Sequence, residues 1–174
     1  DPLSPGYEFM PNMYRSPSLE TYGVNNYFED SLNARKPVEG TIPRGFIPFE
    51  YNESLEDYLR AGKELLNPLK ITEKELLQGK ELFGMFCAHC HGDNGRGAGS
   101  ITHPVYSAIP AYSDDILIRR TGGTMSQLKE GHIYHTIYHG LNAMGPHSSL
   151  LNNDERWLIT AYVQDLQNEK NKEK

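Results

Sequence analysis

Cysteine occurs twice in this chain, in the stretch Cys87-Ala88-His89-Cys90-His91, and these are its only thiols. The pattern Cys-x-x-Cys-His is the attachment signature of a c-type haem. Each thiol can add across a porphyrin vinyl group to form a thioether, and His91 then lies under the iron as its proximal ligand. One short turn presents both sulfurs to one edge of the ring and aims an imidazole at its centre. Other chemistries use the same residues. A thioredoxin-type pair opens a helix after a strand, and no βαβ pattern surrounds this one. A zinc site would need two further ligands, drawn from His132, His135, His139 or His147. A disulfide across two intervening residues closes too short a loop to constrain much. The local sequence favours haem, with zinc as the alternative.

The elements that must hold this motif can be read from its flanks. Thr72-Glu73-Lys74-Glu75 is a capping box, and the helix it opens runs to about Phe86. Leu76, Leu82, Phe83 and Phe86 share its apolar face with Gly79, and its end delivers the motif. Gly92-Asp93-Asn94-Gly95-Arg96-Gly97-Ala98-Gly99 then forms a turn-rich loop with positive-φ positions. It is no phosphate cradle, because no strand precedes it and no Gly-Lys-Ser/Thr closes it. A short helix is expected over 113–120, with Asp114 and Asp115 at its N-terminus and Arg119 and Arg120 at its C-terminus, as the helix dipole favours; either arginine could instead reach a haem propionate. Another helix spans 131–139 on Ile133, Tyr134, Ile137 and Tyr138, stopped by Gly140. The last begins near Asn152-Asn153 and runs to about Gln167, burying Trp157, Leu158, Ala161, Tyr162 and Leu166. Trp157 is expected near the haem or a helix crossing, and the charged tail from 168 should fray.

The whole chain sets bounds on this picture. Its 174 residues allow one decorated domain, and 37% hydrophobic content with 16 glycines and 11 prolines implies a small core and much irregular chain. A net charge of -6 argues against nucleic acid as a partner. No stretch approaches the roughly 20 apolar residues that span a bilayer. No signal peptide is evident either, although covalent haem attachment takes place beyond the bacterial inner membrane, so the chain reads as a processed form starting at Asp1.

Residues 1–66 read unlike a packed domain. Pro2, Pro5, Pro11, Pro17, Pro37, Pro43 and Pro48 break them at short intervals, excluding long helices and central strands. Yet Tyr7, Phe9, Met13, Tyr14, Tyr22, Tyr27, Phe28, Phe46, Phe49 and Tyr51 are too many aromatic and apolar groups for a mere spacer. They suggest an extended strap that buries itself in another surface, either its own haem domain or partner subunits. From Ser54 to about Leu66 a helical pattern on Leu55, Tyr58, Leu59 and Leu65 ends at Asn67-Pro68 and reads as the hinge to the domain at 67–174.

Within the arm, Pro37-Val38-Glu39-Gly40-Thr41-Ile42-Pro43-Arg44-Gly45, with Met13-Tyr14 before it, resembles the N-terminal segment of the monohaem cytochrome c subunit of alternative complex III. The resemblance covers the arm in patches and the haem domain nearly end to end. It implies an all-α, class I cytochrome c fold preceded by a long, largely irregular arm. In that fold Gly79 and Phe83 match the small and aromatic positions of the first helix, where the last helix, carrying Ala161-Tyr162-Val163, crosses closely. A proline carbonyl accepts a hydrogen bond from the proximal histidine's other nitrogen and orients the ring; Pro104 and Pro110 are the candidates, with Pro110 preferred. The sixth ligand comes from a Gly-x-x-x-Met loop with a proline close behind. Gly140-Leu141-Asn142-Ala143-Met144 fits, with Gly145 intervening before Pro146. Met125, His132, His135, His139 and His147 compete for that position, Met125 being the better methionine rival and the helix histidines being expected to face a partner or to be hydrogen-bonded.

No Ser/His/Asp arrangement or open metal position points to catalysis. The expected role is one-electron transfer through one covalently bound haem c. The resemblance implies a subunit of a quinol-oxidising respiratory complex at the periplasmic face of the bacterial inner membrane. Its partners there include multihaem cytochrome and iron–sulfur subunits, and electrons pass on to a soluble cytochrome c or a terminal oxidase. Membrane association would come through these partners or a lipid anchor outside these residues. A freely diffusing cytochrome c with an unusual extension is the alternative, followed by a zinc-binding structural module.

Overall fold

The computed structural model describes residues 4, 6, 7, 10, 16–106 and 109–168. The expectations for Pro2, Pro5, Phe9, Pro11, Met13, Tyr14 and the tail beyond 168 lie outside these. The chain divides into two compact units, Asp1–Phe46 and Ile47–Lys174. The boundary expected at 66/67 therefore falls inside the second unit.

Among its described residues the first unit has no helix, and its one bridge pairs Val24 with Leu32. Its interior is polar. Asn25, only 3% exposed, donates its backbone N–H to the Ser31 carbonyl at 3.0 Å. Its side chain accepts from the Tyr27 N–H at 2.9 Å and donates to Asn33 Oδ1 at 3.1 Å. Arg35 pairs with Asp30 at 2.6 Å and lies 4.4 Å over the Phe28 ring. The apolar groups Tyr22, Val24, Tyr27, Val38 and Ile42 all point outward.

The second unit opens with helix α1, Leu55–Glu64, capped by Ser54, whose Oγ accepts from the Asp57 N–H at 3.1 Å. Its buried side, Tyr58 and Ala61, packs on helix α4, Glu130–His139. The helices approach closely because Gly131 has no side chain: a Cβ there would strike the Ala61 carbonyl oxygen. This packing is why residues 47–66 belong with the haem-binding part of the chain. The Asn67-Pro68 stop marks the end of a helix, not the edge of the fold.

Helix α2, Glu73–Phe86, starts at the expected capping box, where the Thr72 N–H donates to Glu75 Oε2 at 3.2 Å. Helix α5, Asn153–Gln167, has a matching reciprocal cap: the Glu155 N–H donates to Asn152 Oδ1 at 2.9 Å and the Asn152 N–H to Glu155 Oε2 at 2.7 Å. The two cross at Gly79, where a Cβ would collide with the Leu158 carbonyl oxygen. Phe83, 1% exposed, packs edge-on to the Tyr162 ring at 5.3 Å beside the crossing. Removing such a ring from water contributes about 1.5–3 kcal/mol. Trp157 stacks on Tyr134 at 4.2 Å, holding α5 to α4.

The helix expected over 113–120 does not form. The Asp114 carboxylate instead accepts from the Ile116 N–H at 2.9 Å and takes the Arg119 guanidinium at 3.1 Å. An aspartate that satisfies the next backbone donors itself offers the chain an alternative to the helix. The β-branched Ile116 and Ile118 weaken the helix further. The remaining regular pieces are the one-turn helix α3, Ala88–His91, and short 3₁₀ turns at Pro104–Tyr106 and Met125–Gln127. The described residues contain no strand.

Candidate haem site

Cys87 sits at the joint between α2 and α3, with φ -123° and ψ -35°. Its carbonyl accepts from the Cys90 N–H at 3.1 Å and the His91 N–H at 2.9 Å, which winds the single turn of α3. Cys90 thus comes one turn after Cys87, with His91 next to it. Both thiols are free, Cys87 buried and Cys90 half-buried. Burial pushes the Cys87 thiol up to about 12, so it stays protonated. Gly92, at φ 73°, ends the turn, and the chain folds back so that the Gly97 N–H reaches the His91 carbonyl at 2.8 Å.

The His91 ring stacks on Tyr112, with centroids 5.0 Å apart and planes 15° from parallel. Burial, followed by the nearby His89 and His147, lowers its pKa to about 4, so the imidazole is neutral, the form a metal requires. Nδ1 is buried without a hydrogen-bond partner. The Pro110 carbonyl, its expected partner, makes no hydrogen bond to it in this structure, and the Tyr112 ring lies against the imidazole face. With Nδ1 sealed, Nε2 is the nitrogen left for coordination. Two unpaired thiols a turn apart, followed by a neutral buried imidazole, fit a covalently attached haem. Among the described residues no group of three or more His, Cys, Asp or Glu side chains that could hold a metal ion comes together.

The loop after α4 carries the preferred sixth ligand. Gly140, at φ 84°, stops the helix, and Leu141 and Met144 then close a tight turn through reciprocal backbone bonds of 2.9 and 3.0 Å. Asn142 occupies its left-handed position at φ 54°. The intervening Gly145 does not disturb this turn. Three residues on, the His147 N–H donates to the Ile137 carbonyl at 2.9 Å, and His147 lies near enough to His91 to depress its pKa. That bond ties the chain just after Met144 to the last turn of α4. Met125 begins a 3₁₀ turn whose carbonyl accepts from Gln167 Nε2 at 2.7 Å.

The rival histidines have other work. The Lys129 N–H donates to His132 Nδ1 at 3.1 Å. His135 Nε2 meets the Asn52 carbonyl at 2.9 Å, and His139 Nε2 meets the Tyr51 carbonyl at 2.8 Å. Between them Phe49 lies 4.4 Å from the Tyr138 ring and 5.4 Å from Tyr134. The histidine face of α4 thus holds the 49–52 segment. His147 Nδ1 meets the Gly145 carbonyl at 2.9 Å.

The cytochrome c family model matches residues 76–167. Among solved structures, a reducing HAO-like protein complex of Kuenenia stuttgartiensis is 27% identical at a TM-score of 0.45, covering 57% of this chain, which spans 46% of that one. Cytochrome cL of the marine methylotroph Methylophaga aminisulfidivorans is 26% identical at a TM-score of 0.40, covering 71% of this chain and 81% of that one. With all of α2 but its first turn, and α3 through α5, inside the matched range and the Cys-x-x-Cys-His turn within it, the chain belongs to the cytochrome c family, an all-α, class I electron-transfer domain that carries covalently attached haem c.

Proposed function

We propose that this chain is the monohaem cytochrome c subunit of a quinol-oxidising respiratory complex of the alternative complex III type, at the periplasmic face of a bacterial inner membrane. It takes electrons from multihaem and iron–sulfur subunits and passes them to a soluble cytochrome c or a terminal oxidase. Cys87 and Cys90 would hold the haem covalently, and His91 and Met144 would bind its iron. The haem supplies a one-electron iron couple. With His91 and Met144 both bound, the iron would have no position left for oxygen or peroxide. A methionine in place of a second histidine raises the reduction potential. The buried apolar groups around Cys87, including Phe83, Ile133 and Ile137, exclude water and act in the same direction.

The observation that supports membership of a complex is the inverted build of the first unit. Asn25 and its hydrogen bonds lie inside, while Tyr22, Tyr27, Val38 and Ile42 are 96%, 88%, 81% and 75% exposed. Apolar display on this scale marks an interaction surface. A free carrier gains nothing from it. No helix among the described residues is long and apolar enough to cross a membrane; membrane association would come through partners or a lipid anchor.

The test is deletion of residues 1–46, the cut that spares the Phe49–Asn52 clasp on α4. The shortened protein should keep its haem spectrum and no longer copurify with the other subunits. Retention in the complex would show that the first unit is not the docking element.

A further inference from the structure

We propose that Arg156 is the positioning residue for Met144: from the first turn of α5 it clamps the strap that follows the methionine and holds that loop closed. The inference rests on Met144 as the sixth ligand. Residues 145–152 join Met144 to α5 and form neither helix nor strand. Their path is set by ties to their surroundings. One is the His147 N–H on the Ile137 carbonyl of α4, at 2.9 Å. The next two come from a single side chain. Arg156 Nη1 donates to the Ser148 carbonyl at 3.3 Å and to the Leu151 carbonyl. Between those carbonyls the strap turns back on itself, the N–H groups of Leu150 and Leu151 both donating to the His147 carbonyl at 3.1 Å.

Arg156 can act as a clamp because it is itself fixed. It is 6% exposed, and a guanidinium so far from water is costly unless its donors are used. Its Nε donates to the Tyr134 hydroxyl at 3.0 Å, and that hydroxyl donates to Asn153 Oδ1 at 2.7 Å. The guanidinium carbon lies 5.4 Å from the Tyr134 ring and 5.0 Å from the Tyr138 ring, within reach of cation–π attraction. The donors of a guanidinium stand at fixed angles in one plane. The phenol on α4 therefore sets where Nη1 points, and Nη1 sets where the strap lies. Opening the strap would strip the buried charge of two carbonyl acceptors, so the loop carrying Met144 is held closed. A lysine ammonium, one point charge on a flexible stem, cannot hold the phenol and both carbonyls at once.

Free imidazole can bind the ferric iron only where Met144 has left it, so its apparent dissociation constant is the intrinsic constant divided by the fraction of molecules that are open. The experiment is a Soret-monitored imidazole titration, above the probe's own pKa so that it is neutral. It uses the haem-loaded wild type, Arg156→Met, Arg156→Lys and Gly79→Ala, with urea unfolding of each alongside. Arg156→Met keeps the length of the side chain and removes every donor. Its imidazole constant should fall on the order of tenfold, as charge-assisted bonds to the strap are lost, with Arg156→Lys in between. Gly79→Ala drives a Cβ into the Leu158 carbonyl, away from the strap. It should lower the urea midpoint and leave the imidazole constant unchanged. A wild-type constant in Arg156→Met or in Arg156→Lys overturns the proposal. So does a fall in Gly79→Ala as large as in Arg156→Met, which would make the effect one of general stability. Should Arg156→Met fail to load haem, Arg156→Lys decides. A Met144→Ala protein separates this from the ligand assignment: an unchanged constant there removes Met144 as the ligand, and the proposal with it.

Discussion

Gly79 and Gly84 lie on the same helix, α2, and the same substitution should act on them with opposite sign. At Gly84 an added Cβ meets nothing within 4 Å. Replacing an exposed helical glycine with alanine then gains up to about 1 kcal/mol of backbone propensity. At Gly79 the same gain is outweighed. The Cβ would collide with the Leu158 carbonyl oxygen, and it would sit 2.9 Å from the Leu158 carbonyl carbon and 3.2 Å from Tyr162 Cβ. Overpacking costs about 1–3 kcal/mol. The upper part of that range applies because the obstacle is α5 backbone, which cannot swing aside like a flexible side chain. Gly79→Ala should therefore lose about 1–2 kcal/mol net, leaving a gap of roughly 2–3 kcal/mol between the two variants. Urea unfolding of the ferric haem-loaded protein, followed by far-ultraviolet circular dichroism and by the haem Soret band, measures this, with an unchanged m value showing that the states compared are the same. If Gly79→Ala proves as stable as Gly84→Ala, the close crossing of α2 and α5 is not what holds the domain.

Burial lowers the pKa values of His132 and His135 below their ordinary 6.5. The unfolded chain thus takes up these protons first on acidification, so the stability they contribute is complete above pH 6.5 and falls as pH drops below it. The urea midpoint should decline in that range, and a His132→Gln/His135→Gln protein should show a flatter decline. Phe49→Ala should cost about 1–2 kcal/mol, less than the 3–5 kcal/mol of a fully buried ring because Phe49 is half-buried; hydrogen exchange should show faster opening of α1 with α2 and α5 little changed. Met144→Ala should abolish the far-red ferric charge-transfer band of sulfur ligation, and Met125→Ala should keep it; the reverse would move the ligand to Met125.

Local signals served best in reading this sequence. The Thr72-Glu75 capping box, the Gly79–Phe83 pair and the stop at Gly140 each encode their outcome within one turn of helix, and α2, α4 and α5 follow from them. Asp114 marks the limit of that approach. At a helix start it reads as a favourable charge, yet its carboxylate satisfies the backbone of a turn, and nothing in local periodicity separates the two uses. The boundary at 66/67 missed a long-range fact, the docking of Tyr58 and Ala61 on α4. A signal for it existed: Phe49 and Tyr51 stand just before the Ser54 cap, and two histidines at helical spacing on α4, His135 and His139, meet carbonyls of that segment. At the haem site, spacing located Cys87, Cys90 and His91, but not what steadies the imidazole. Pro110 was expected there by analogy. The structure lays Tyr112 against the imidazole and beside Phe83, contacts that only three dimensions bring together.

One covalently attached haem, its iron bound by both His91 and Met144, would make this chain an electron carrier. Spectroelectrochemical titration of the purified protein under carbon monoxide tests it most directly. A single one-electron transition between ferric and ferrous haem c spectra is expected, with the ferrous spectrum the same as under an inert gas. A carbon-monoxide-shifted Soret band would reveal an open axial position, and the absence of any visible transition would remove haem altogether.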